Sequence, residues 1–191
     1  MSDRKKYGSR QPSITYVDGQ PRPFGKVLLE RKVASRLSMK NLVIGEVLDI
    51  AASCRLIGGE EKGRWRLCLD EALVNAIVHG NNGDPRRFVR VVVMSGTSRW
   101  AVLIEDEGEG FRPDDIPKGG SLRSLYAESG RGILLMKEFA DEVRYYRRGA
   151  SVMLIKSVPG KNSKGTPPKP RAVRPGGGRK AKGKSDGPQG S

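Results

Sequence analysis

The run Phe88-Val-Arg-Val-Val-Val-Met94, the break Ser95-Gly-Thr-Ser-Arg99 and the run Trp100-Ala-Val-Leu-Ile-Glu-Asp106 together decide the fold class. Both runs are dominated by β-branched and large apolar residues, so they read as strands, and the short Gly-containing break between them reads as a hairpin. Hairpins pair antiparallel, whereas a doubly wound parallel sheet needs a helix between successive strands. Upstream, Val27 to Val33 (VLLERKV) reads as a further strand. Ser38 is placed to cap a helix whose apolar residues Leu42, Val43, Val47, Leu48, Ile50 and Ala51 recur at helical spacing. Gly58-Gly59 breaks the chain, and a second helix spans about 60–78. Downstream, a long polar Gly- and Pro-bearing stretch (107–130) leads into a helix over Gly132–Ala140. Strands Glu142–Tyr146 and Ser151–Ile155 follow, separated by a turn at Arg148-Gly149. The order β-α-α-β-β-loop-α-β-β predicts an α+β sandwich with a mixed or antiparallel sheet.

This core occupies residues 27–157, and the charge lies mostly outside it. The chain carries 36 Lys+Arg against 21 Asp+Glu, a formal +15. Residues 158–191 hold nine basic residues against Asp186, and residues 1–26 hold six against Asp3 and Asp18, leaving the core only +3. A wholly basic nucleic-acid-binding core is therefore excluded. The 158–191 tail is rich in Pro, Gly, Lys and Arg with few large apolar side chains, so it is expected to be disordered. Residues 1–26, with Pro12, Pro21 and Pro23, are expected to form a second loose basic segment. No apolar run approaches the roughly 18–20 residues that cross a bilayer. No secretory signal is expected in MSDRKKYGSR, and Cys54 and Cys68 make neither a disulfide scaffold nor a zinc site, so a reduced cytoplasm is the expected compartment.

Three groups of residues are placed to carry chemistry. On the second helix, about 100° of rotation per residue puts Asn75 close to Glu71 on one face, between Leu67, Val74 and Val78 on one side and Cys68 and His79 on the other. A carboxylate and an amide between apolar flanks call for a polar partner, unless this face is simply half wet. Asp106-Glu-Gly108-Glu-Gly110 then puts a carboxylate where a buried strand runs out, with two glycines that permit close approach to the backbone. Gly130-Arg131-Gly132 opens the third helix, where free N–H groups favour phosphate. Each glycine pair alone is weak, and a plain turn would explain it; the three groups in this order are jointly specific.

The texts LDEALVNAIVHGN, IEDEGEGF and SGRGILLMKEFADEV together resemble the GHKL ATP-binding superfamily, and within it the stand-alone bacterial anti-sigma factor serine/threonine kinases. The resemblance covers about 27–157. It implies a two-layer α/β sandwich of the Bergerat type, with a mixed, mostly antiparallel sheet and helices on one face. It implies ATP and Mg2+ as cofactors. Asn75 matches the Mg2+-coordinating asparagine and Glu71 the general base. Asp106 matches the aspartate that bonds the adenine amino group, while Gly108 and Gly110 let the base and ribose pack closely. Gly130, Arg131 and Gly132 match the phosphate-contacting segment. His79 and Asn82 continue the first motif, with His79 expected to pack or hydrogen-bond rather than catalyse.

The implied function is an ATP-dependent kinase that phosphorylates a STAS-type anti-anti-sigma partner and sequesters a sigma factor, with a homodimer as the implied assembly. One position departs from the pattern. Glu128 stands where such kinases often carry an arginine facing the terminal phosphate, so Arg131, Lys118 or Arg123 would have to supply the cation. This departure favours an alternative, a non-catalytic ATP-dependent binding switch. A complete histidine kinase is not expected, because His79 is the sole histidine and lies inside the nucleotide motif; a detached histidine-kinase-like ATPase domain remains open. A further alternative is a nucleic-acid-associated protein acting through its basic ends, although no aromatic residues interleave the basic residues of the tail.

Overall fold

The computed structural model describes residues 13–110 and 136–158. Six strands form one sheet: β1 (Ser13–Val17), β2 (Lys26–Ala34), β3 (Phe88–Ser95), β4 (Arg99–Asp106), β5 (Glu142–Tyr146) and β6 (Ser151–Ser157). Their spatial order is β1-β5-β6-β4-β3-β2. Every pairing is antiparallel except β1 with β5. Helices α1 (Leu37–Ser53) and α2 (Gly59–Val74) cover one face of the sheet. The fold is the expected α+β sandwich with a mixed, mostly antiparallel sheet.

Period-2 alternation in the central strands explains why both of their faces are buried. Val89, Val91 and Val93 of β3, with Trp100, Val102 and Ile104 of β4, point to the helices. Val92, Met94, Ala101 and Leu103 point to the opposite face, where Val17 and Phe24 pack against them. On the helical side the Trp65 ring of α2 lies 4.4 Å from that of Trp100. This contact ties α2 to the middle of the sheet.

Several local expectations change. Ser38 does not cap α1; the helix starts at Leu37 with Arg36 as its N-cap, leaving Ser38 inside the first turn. Leu42, expected in the core, is 56% exposed, and the buried stripe is Val43, Ile44, Val47, Leu48 and Ala51. On α2 the buried stripe is Trp65, Cys68, Leu69, Ala72 and Leu73. Leu67, one of the flanks expected beside Glu71, is 51% exposed. The single helix expected to reach residue 78 instead stops at Val74 and widens into a π-helical turn, Asn75–Gly80. Residues 136–139 are helical and Ala140 is not, and residues 132–135 of the expected third helix lie outside the described residues.

The N-terminal segment expected to be loose supplies β1, an edge strand. Its existence rests on a non-local parallel pairing, Ser13 with Glu142 through Val17 with Tyr146, which local propensity cannot signal. Because β1 and β2 lie at opposite edges, the link between them spans five strand spacings, about 24 Å. Nine residue steps reach only about 30 Å when extended, so residues 18–25 run close to their limit across the face away from the helices. Phe24 packs there, under the Arg99 guanidinium at 4.6 Å from its ring centroid.

Candidate functional site

Strand β4 ends at Asp106, between β3 and β6, beside the π-helical turn that ends α2. The residue is 6% exposed. Its Oδ1 accepts a hydrogen bond from the Gly108 N–H at 2.8 Å. The Arg147 guanidinium donates to the Asp106 main-chain oxygen at 3.2 Å. Burial raises the carboxyl pKa to about 6, against the opposing pull of the Gly108 N–H and of the Arg147 and Arg87 charges. At neutral pH the group is therefore mostly an ionised acceptor.

Asp106 faces a cavity of about 460 Å³ whose walls include Asn75, His79, Gly110, Met136 and Tyr145. That volume suits a small organic ligand, for which pockets typically run to about 300–1,000 Å³. Asn82 and Arg87 also line it. Asn75 sits where α2 gives way to the π-helical turn, a geometry that recurs at functional sites. Its Oδ1 is buried without a hydrogen-bond partner among the described residues. A buried amide oxygen left unpaired is costly, so this atom is suited to a ligand or a hard cation. Among the described residues no group of three or more His, Cys, Asp or Glu side chains is placed to hold a metal. A Mg2+ ion would fit as that ion commonly binds, on one protein oxygen with the balance of its ligands from phosphates and water.

The sequence-derived residues separate into groups. Asn75, Asp106 and Gly110 share the cavity wall. Glu71 lies one turn before Asn75, half-buried and outside that wall. His79, expected to pack or hydrogen-bond, is exposed on the wall. Gly108 is buried below the cavity, where a Cβ would strike the Gly80 carbonyl oxygen and Asp106 Oδ1. Gly110 has φ +72°, and its Cβ would meet the Arg148 carbonyl. Both glycines are thus demanded by neighbouring backbone of the protein itself. Gly130, Arg131 and Gly132, with Lys118, Arg123 and Glu128, lie outside the described residues.

Sequence reasoning passed over residues that hold this site together. Gly80 touches Asp106 directly. Asn81 is fully buried; its Nδ2 donates to the Phe88 carbonyl at 2.9 Å and its Oδ1 accepts from the Glu107 N–H at 2.9 Å. One side chain thereby joins the end of the π-helical turn, the start of β3 and the loop after β4. Arg147 and Arg148 both take positive φ, 48° and 54°, an uncommon conformation for residues other than glycine, and Arg147 bonds Asp106 from there. The dipeptide Gly80-Asn81 just after a helical pattern was the available signal for the first two; nothing local announced the arginines.

A family model described as the histidine kinase-like ATPase domain matches residues 38–156. The chain belongs to the histidine kinase-like ATPase domain family. The match takes in α1, α2 and the strands β3 to β5 with nearly all of β6, and leaves β1 and β2 outside it. This ATPase domain is 34% identical over 104 residues to the anti-sigma F factor of Geobacillus stearothermophilus, covering 51% of this chain and 70% of that one. It is 33% identical over 105 residues to the anti-sigma F factor of Geobacillus kaustophilus, covering 52% and 71%. The corresponding figures for the Bacillus cytotoxicus anti-sigma F factor are 29% over 109 residues, 54% and 75%. Membership in an ATPase family implies ATP binding, and the cavity at Asp106 and Asn75 has a volume in the range of small-ligand pockets.

Proposed function

We propose that this ATPase domain is an anti-sigma-factor-type regulator that binds MgATP, phosphorylates a serine or threonine on a STAS-type anti-anti-sigma partner and sequesters a sigma factor. The observation that carries the nucleotide part is the pair of polar groups on one cavity: the buried carboxylate of Asp106 and the unpartnered Oδ1 of Asn75. In this reading Asp106 accepts a hydrogen bond from the adenine amino group. Asn75 holds Mg2+, whose charge offsets that of the phosphates. Glu71 takes the proton from the acceptor hydroxyl as its oxygen attacks the terminal phosphorus and ADP leaves. Gly130, Arg131 and Gly132 contact the phosphates. The partner assignment is supported by the similarity to the anti-sigma F factors.

The corresponding organisation is residues 27–157 as the nucleotide domain, to whose sheet the basic segment 1–26 adds β1, with the basic segment 158–191 as an accessory contact to acidic partners or nucleic acid. It acts as a homodimer in the cytoplasm. Incubating the protein with Mg2+, labelled ATP and the STAS-domain protein encoded nearest its gene tests the proposal. Label on the partner supports it; absence of both nucleotide binding and label overturns it.

Glu128 favours a second reading, an ATP-dependent binding switch without phosphoryl transfer. A Glu128→Arg variant that gains kinase activity over an inactive parent supports the switch. Turnover by the parent that disappears in Glu71→Ala excludes it.

A further inference from the structure

We infer that Tyr16, on the edge strand β1, is a positioning residue for the nucleotide cavity. The inference rests on the ATP site proposed above. Strand β1 lies outside the part of the chain that the family model matches. Its parallel pairing sets Tyr16 beside Tyr145 of β5, and the two rings stack with centroids 5.5 Å apart and planes 18° from parallel. Tyr145 is itself a cavity wall, on the same cavity as Asp106 and Asn75. Ile14, two residues earlier on the same face of β1, packs against the core cluster that contains Tyr145.

The chain therefore sets an aromatic wall of the cavity from a strand that enters the sheet at its edge. A β5 edge without this strand would remove the stacking contact that covers the outer side of Tyr145. Tyr16 is 46% exposed, so the stack, more than its own burial, is what the residue contributes. A stacked aromatic pair is worth about two- to tenfold in an equilibrium constant.

The test is calorimetric titration of MgATP into the full chain and into Tyr16→Ala, Tyr16→Phe and Phe24→Ala, with thermal midpoints measured on the same preparations. The expected result is a two- to tenfold weaker Kd for Tyr16→Ala and a parent-like Kd for Tyr16→Phe, which keeps the stack. Phe24→Ala packs away from the cavity and is expected to lower the thermal midpoint while leaving Kd unchanged. Tyr16→Ala binding as tightly as the parent overturns the inference and leaves the ATP site standing. Equal loss of affinity in Tyr16→Ala and Phe24→Ala also overturns it, because general loosening then explains both. A parent that binds no MgATP overturns the proposed function together with this inference.

Discussion

Gly80 and Asp106 occupy the same space up to a single atom: a Cβ on Gly80 would overlap the Asp106 carboxyl group. The end of the π-helical turn and the end of β4 are in contact at that point, and the contact fixes where the carboxylate points. Gly80→Ala is expected to keep the secondary structure while displacing Asp106 from the cavity. Overpacking of this kind costs about 1–3 kcal/mol. Nucleotide titration should show at least a tenfold loss of affinity, alongside a lowered denaturation midpoint.

Protonation of Asp106 gives a pH dependence with a definite sign. The ionised carboxylate accepts from an amino group more strongly than the protonated acid does, and its pKa lies at about 6. ATP affinity should therefore rise as pH increases through about 6 and level off above 7; Asp106→Asn should bind weakly at every pH. Stability runs the other way. The folded state holds this proton more tightly than the unfolded chain, whose ordinary value is 3.8, so this group's contribution to stability falls as pH rises from about 4 to 6. Denaturation curves of Asp106→Asn across that range should lack this slope.

Asn81 is expected to matter for stability more than for chemistry. Asn81→Ala removes its hydrogen bonds to Phe88 and Glu107 and leaves two part-buried backbone groups unpaired. The expected loss is about 2–4 kcal/mol by urea denaturation. An unchanged midpoint would refute the bridging role.

Asn75 and Glu71 should separate binding from transfer. With Asn75→Ala, the ratio of ATP affinities measured with and without Mg2+ should collapse toward one. Glu71→Ala should retain MgATP binding and lose about 10²- to 10⁴-fold in the rate of partner phosphorylation, the usual worth of a general base.

The thiols offer a probe of folding. Cys54 and Cys68 are buried thiols, and burial pushes the Cys68 thiol up to about 12. Aromatic disulfide reagents should modify neither thiol quickly in the native protein, with the rate tracking global unfolding in rising denaturant. Rapid native-state labelling would contradict the burial.

Much of the fold was legible because its signals are local. The β3–β4 hairpin declares itself through β-branched residues around a Gly-containing turn, and β5 matches its sequence-derived bounds of Glu142–Tyr146. Asn75, Asp106 and Gly110, three of the expected site residues, were legible as candidates because their motifs sit at the ends of strongly patterned elements, and the structure brings them to one cavity. Ser38 misled because a good capping residue one position inside the helix looks the same in sequence as one at its start. Leu42 and Leu67 misled because a helical repeat gives the spacing of an apolar face without saying which edge of that face meets the sheet.

The sequence by itself determined the element order, the hairpin grouping that excludes a doubly wound sheet, and the family to which the chain belongs. Only the tertiary structure decided that the N-terminal segment contributes β1 and that α2 widens at Asn75. It alone brought Gly80, Asn81 and Arg147 around Asp106. The physical reason is range: propensity and periodicity act over a few residues, whereas these features depend on contacts between segments far apart in the chain.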